Sequence, residues 1–279
     1  MHLGFFGINS GPLVDGRAAA RIARLAEEAG YDSLWGGEHM VVPSPRVPPS
    51  PMEPTGLIGD PLIALSWVAA VTERIAIGTG ILLLPQRHPV QLAKEIATLD
   101  RLSGGRLLVG IGIGYLEPEM RAVGVPMERR DERAVEYLGA MQALWTMDAP
   151  AFHGEFVSFE GVDAHPRPTD RARGPRIVMA GRSAAAWRRT VQLADEWYGF
   201  RIDPAEAAVQ VAGINKAADR YGIHRAQGEI TISVSPSHPL TAAMVDDYAA
   251  AGVHRLVVLT GASEVDEIAR FVESQAAFA

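Results

Sequence analysis

The chain has 279 residues, with 26 basic and 33 acidic side chains for a formal charge of −7, and no cysteine. Without cysteine there is no disulfide framework, thiolate nucleophile, iron–sulfur cluster or sulfur-ligated zinc, and the acidic balance offers no basic stripe for a nucleic-acid backbone. With 48% apolar and 21% charged residues, the composition is that of an ordinary soluble globular protein, of a length that an α/β barrel commonly uses as one unit.

In chain order, short β-branched runs alternate with stretches of helical periodicity, the pattern of repeated βα units around a parallel sheet. Strands are expected at 2–8, 31–36, 74–83, 106–113, 175–180, 195–200, 229–235 and 254–260. The helix expected over 15–29 puts Ile22, Leu25, Ala26 and Ala29 on one face and stops at Gly30. The last helix, 264–277, repeats the scheme with Val265, Ile268, Ala269 and Val272. Eight such units predict a closed (β/α)8 TIM barrel, one domain over 1–279, with an open doubly wound sheet as the alternative.

Two insertions depart from the bare barrel. Residues 38–60, after the second strand, hold six prolines from Pro43 to Pro54, which suits either a semi-rigid lid over the catalytic face or a plain surface excursion. Residues 147–174 contain HGEFVSFEG, which reads as a small hairpin before the fifth strand. That insertion is expected on the opposite, stability face, in packing or subunit contact.

Catalytic groups of such barrels sit at the C-terminal ends of the strands. His39, beside Glu38 just past the second strand, is a candidate for proton transfer or for a structural hydrogen bond. Gly78 and Gly80 inside the third strand suggest a bulge or a close approach of backbone to a ligand. In VGIGIGY, Gly110, Gly112 and Gly114 share one side of the fourth strand by its period of two. Such a bare strip serves either a flat ring or tight packing inside the barrel. It is not a dinucleotide fingerprint, because Tyr115 stands where the third glycine is required. After the fifth strand, Gly181, Arg182 and Ser183 open a helix, which is either an anion site or a plain capped start with a surface arginine.

Several chemistries lack their motifs. There is no G-x-S-x-G elbow, no phosphate-binding G-x-x-x-x-G-K-[ST] and no paired-histidine metal motif, so no metal is expected. Lys94 and Lys216, the two lysines, fall within predicted helices, against a Schiff-base enzyme. No apolar run is long enough for a membrane span, and MHLGFFGINSGP has no basic leader, so a cytoplasmic protein is expected.

Taken in order, EH after the second strand, GTGILLLPQRHPVQLAKEIATLDRLSGGR, GIGIGY with Glu119 downstream, HPRP, MAGRS and LADEW resemble the luciferase-like monooxygenase family over roughly residues 1–200. The resemblance is nearest to the branch using the deazaflavin coenzyme F420, with flavin mononucleotide (FMN) users sharing most segments. It implies a catalytic histidine at His39 and a cis peptide between Gly80 and Ile81 behind the cofactor ring. It further implies a cofactor wall at Gly112, Gly114 and Tyr115, and a phosphate grip at Gly181, Arg182 and Ser183. By the same resemblance, F420 or FMN serves a small organic substrate, with a flavin or F420 reductase as possible partner, in a homodimer. Tyr115 replaces the acidic residue of the family's sugar-phosphate dehydrogenases, which argues against that substrate. The rival readings are an FMN monooxygenase with a partner reductase, a flavin-binding barrel without catalysis, which would not need His39, and a phosphate-handling barrel using Arg182 alone.

Overall fold

The computed structural model describes residues 1–223 and 230–279. Its strands are β1 (His2–Phe6), β2 (Ser33–Gly36), β3 (Ala76–Thr79), β4 (Leu82–Leu83), β5 (Leu107–Gly112), β6 (Phe152–His153), β7 (Ser158–Phe159), β8 (Arg176–Ala180), β9 (Glu196–Phe200), β10 (Thr231–Ser235) and β11 (Arg255–Val258). All except the β6–β7 pair run parallel in one sheet, which closes where Ile77 of β3 pairs with Leu107 of β5 and His2 of β1 with Arg255 of β11. Closure removes the doubly wound alternative and leaves a (β/α)8 barrel. Every expected barrel strand is present, although residue 229 of the seventh lies outside the described residues. The third divides into β3 and β4 around Gly80 and Ile81, whose peptide bond is cis, at the position the resemblance implied.

Helices α1 (Gly16–Glu28), α2 (Pro61–Val71), α3 (Pro89–Leu102), α4 (Glu117–Ala122), α5 (Arg130–Thr146), α6 (Ala184–Leu193), α7 (Pro204–Tyr221), α8 (Ala242–Ala250) and α9 (Val265–Gln275) follow the strands. Asp15 starts α1 by accepting from the amides of Arg17 and Ala18, and Gly30 ends it with a φ of 89° that suits glycine. None of the described helices is long and apolar enough to cross a membrane.

Strand alternation splits the interior in two. Leu34, Ile77, Val109, Ile177, Trp197 and Leu256 face outward, into the main core under the helices. Trp35, Leu108, Val178, Tyr198 and Val257 face inward and fill the barrel. The Trp35 indole is fully buried, stacks on Tyr198 at 5.4 Å and takes the space a side chain at Gly78 would need. Burying one such side chain contributes about 1.5–3 kcal/mol. Gly78 is therefore a packing glycine.

At the N-terminal end of the strands the barrel is plugged by charge. Arg255 donates to Asp32 at 2.8 Å, to Ser233 at 3.0 Å and to Glu196, which has no solvent exposure. Burial opposes the arginine's charge, but the two carboxylates outweigh it and raise its pKa. A cavity of about 740 Å³ also opens at this end, beside Arg173, Arg176 and Asp195. Its size would admit a ligand, yet it lies away from the strand ends that carry chemistry in such barrels.

The hairpin exists, but its place differs from expectation. Glu136 of α5 accepts from the amides of Glu155, Phe156 and Val157, and Arg129, just before α5, pairs with Glu155 at 2.6 Å. Because α5 begins at the C-terminal strand end, these contacts with Arg129 and Glu136 draw the turn between β6 and β7 toward the mouth side, with Phe156, Val157 and Phe159 packed on the main core. The insertion leaves the stability face, as its sequence position implies, and does not stay there, because α5 supplies a carboxylate for the amides of the hairpin turn.

Candidate active site

The mouth is built from the ends of β2, β3, β5, β8 and β9. Past β2 the chain is fastened by Asn9, whose side-chain amide donates to the carbonyls of Gly37 at 2.8 Å and Gly59 at 2.6 Å, while its oxygen accepts from the Gly37 amide. This loop end carries Glu38 and His39 in opposite directions. Glu38 is buried, accepting from the Leu83 amide and from Arg87, which also donates to Asp60 at 2.6 Å. Burial opposes the Arg87 charge, but Glu38 and Asp60 outweigh it and hold the guanidinium above its ordinary value. Glu38 is thus a structural acid tying β2 to the β4 edge, rather than a partner of His39.

His39 instead meets Glu119 of α4. The imidazole Nδ1 stands 2.9 Å from one carboxylate oxygen of Glu119, and the Met40 amide donates to the other at 2.7 Å. Glu119 has no exposure and the His39 side chain 13%. A carboxylate only accepts, so Nδ1 carries the proton and Nε2 is left for the mouth. The Tyr115 hydroxyl lies 3.5 Å from Nε2, with the two rings edge to face. Burial first, then the Glu119 charge, push the Tyr115 phenol above its ordinary value, so it keeps its proton at neutral pH.

The glycine row is not the open strip that its period allowed. A Cβ at Gly110 would collide with the Thr79 carbonyl oxygen, and one at Gly112 with the Ile81 side chain; at Gly114 it would stand 2.9 Å from the Met120 sulfur. The bulge between β3 and β4 fills the room that Gly110 and Gly112 leave, Met120 of α4 takes the room beside Gly114, and Thr79 secures the bulge by donating to the Gly110 carbonyl at 2.8 Å. Ile81 and Phe6 are both half-buried against the inner cluster, and the Phe6 ring lies against Gly80. Phe6 in turn packs on Phe200 at 5.1 Å.

Across the mouth, Gly181 turns with a φ of 118° and Ser183 caps α6, accepting from the Ala186 amide at 3.2 Å. Arg182 donates to Glu206 and to the Phe200 carbonyl, both at 2.6 Å. The helix start is therefore as expected, while the guanidinium next to it is already engaged. Arg130 supports the facing wall by donating to the Gly114 carbonyl at 3.0 Å. In the sequence Glu119 stands out only through the resemblance, downstream of GIGIGY, and nothing marks Asn9, Arg87 or Arg130. Their partners are up to 50 residues away along the chain, with no local signal.

A closed barrel whose C-terminal mouth presents a carboxylate-held histidine, an aromatic floor and an amide-rich helix start is a (β/α)8-barrel enzyme in its arrangement. The profile of the luciferase-like monooxygenase family matches residues 3–276, and the chain belongs to that family. An uncharacterized protein of Mycobacterium tuberculosis is 35% identical over 218 residues, 75% of this chain and 77% of the relative. Among solved structures, the monooxygenase RslO1 from Streptomyces bottropensis superposes with a TM-score of 0.80 at 23% identity, covering 99% of this chain and 98% of that one. An F420-dependent secondary alcohol dehydrogenase in complex with an F420-acetone adduct gives 0.78 at 15% identity, with 98% and 97% covered.

Proposed function

We propose that the barrel is an oxidoreductase that binds reduced F420, or alternatively FMN, in its mouth and acts there on a small organic substrate. The observation carrying this reading is the His39–Glu119 pair beside the Gly80–Ile81 bulge, an oriented proton-exchanging group next to an apolar seat. The residues fit such a group: Ile81 and Phe6 offer a flat apolar surface, Gly114 and Tyr115 a wall, and the start of α6 at Gly181, Arg182 and Ser183 free amides for a phosphate. In this reading Gly112 acts indirectly, by making room for Ile81. When bound, either ring supplies the redox chemistry, hydride from F420 and hydride or activated oxygen from FMN.

The chain's own contribution is positional. His39 Nε2 accepts or returns a proton at the substrate oxygen, Glu119 keeps the imidazole turned toward it, and Tyr115 donates a hydrogen bond from the open side. Phe6 and Phe200 keep water from the floor. FMN chemistry would call for a partner reductase. A homodimer is also part of the proposal, since α2 has no charged side chain and leaves Ile63 74% and Trp67 49% exposed, an outer face suited to a second copy.

The test is a fluorescence titration of the purified protein with FMN and F420 side by side. Saturable binding of one in clear preference to the other supports the reading and selects the mechanism; no binding of either overturns it.

A further inference from the structure

At the tip of β9, Arg201 holds a φ of 53°, in the left-handed region that glycine or asparagine enters more easily. The conformation is imposed from both sides. The Phe200 carbonyl accepts from Arg182 at 2.6 Å, the Ile202 amide donates to the Ser235 carbonyl at 3.2 Å, and the Ile202 carbonyl accepts from Tyr248 at 2.6 Å. A rigid turn at the mouth thus carries an arginine at its apex. The guanidinium carbon stands 5.9 Å from the centroid of the Phe200 ring, which is 40% exposed.

The charges around it are already matched. Glu38 holds Arg87, Glu119 holds His39, and Glu206 holds Arg182. Arg201 has no acid or carbonyl partner among the described residues. An exposed aromatic face with an unmatched planar cation at its edge suits a flat molecule that ends in an oxyanion, because the guanidinium fork matches a carboxylate in two parallel bonds.

We propose that Arg201 anchors the carboxylate, or an equivalent planar oxyanion, of a substrate whose flat body rests on Phe200. The substrate role rests on the redox reading of the mouth; the anion site does not. The phosphate of a cofactor is the other source of such an anion, and Gly181, Arg182 and Ser183 are the proposed place for it.

The experiment uses benzoate and its neutral counterpart benzamide, titrated by calorimetry into the whole protein, its Arg201→Gln variant and its Arg201→Lys variant, each with and without FMN or F420. Melting curves check that the variants fold. Benzoate should bind the unaltered protein more tightly than benzamide, and Arg201→Gln should weaken benzoate by about tenfold or more. Benzamide should be unaffected, and Arg201→Lys should keep part of the preference. Equal binding of the two probes, or benzoate affinity unchanged in Arg201→Gln, overturns the proposal. So does a loss of FMN or F420 affinity in that variant without a loss for benzoate, because the anion would then be the cofactor's. If neither cofactor binds while benzoate follows Arg201, the redox reading fails and the anion site stands.

Discussion

Glu119→Gln keeps the shape of a fully buried side chain and removes its charge. In the unaltered protein its two oxygens take the His39 Nδ1 proton at 2.9 Å and the Met40 amide at 2.7 Å. Glutamine has one acceptor. Met40 offers a backbone donor that cannot change, so the remaining oxygen goes to it and the new NH2 group faces His39. Two donors would then meet unless the imidazole moves its proton to Nε2 and accepts at Nδ1. Hydrogen bonds to charged groups contribute about 1.5–3 kcal/mol, neutral ones about 1. The exchange should therefore cost about 1–2 kcal/mol, or roughly 2–8 °C in melting temperature. The larger effect is chemical, because the nitrogen presented to the mouth changes from acceptor to donor. Nitrogen-15 NMR of labelled imidazole reads this directly. His39 should carry its proton on Nδ1 in the unaltered protein and on Nε2 in Glu119→Gln, with turnover reduced about 100-fold if proton transfer is at stake. An Nε2 proton before the substitution, or the same tautomer after it, would refute the assignment.

Three further substitutions probe the scaffold by denaturant titration. Gly110→Ala drives a methyl into the Thr79 carbonyl oxygen, whereas Gly112→Ala meets the movable end of Ile81; the first should cost about 3 kcal/mol or more and the second about 1–2 kcal/mol, and the reverse order would show that the bulge does not occupy the glycine row. Glu27, at the end of α1, accepts from the amides of Glu73, Arg74 and Ile75 at 2.7–3.0 Å. Burial works against its charge, but these amides outweigh it and lower the pKa. A depressed folded pKa stabilises fully above the ordinary glutamate value of 4.5 and loses that effect as pH falls through the folded value. Glu27→Gln should then cost about 1 kcal/mol at pH 7, reduced by its partial exposure, with the gap closing as pH falls below 4.5; a gap that is flat with pH would count against the amide contacts.

Local pattern was enough for the barrel. Period-two and period-3.6 burial placed every barrel strand to within about three residues, along with α1 and α9, because each element buries one face and the spacing of apolar residues records which. Ser183 and Gly30 were legible for a related reason: a cap acts on amides within a few residues of itself, so its partners are in the same short stretch. His39 was legible by position, as a titratable group just beyond a strand end. Its orientation was not. The carboxylate that turns it comes from residue 119, and its neighbour Glu38 points elsewhere because Leu83 and Arg87 claim it. The glycine row shows the same limit, since periodicity reveals a bare face but not that the neighbouring strand bulges into it. The hairpin was recognised and its direction missed, because Glu136, which draws it up α5, lies in another element. Elements follow from forces acting over a few residues, while the site depends on contacts between strand ends that only barrel closure brings together.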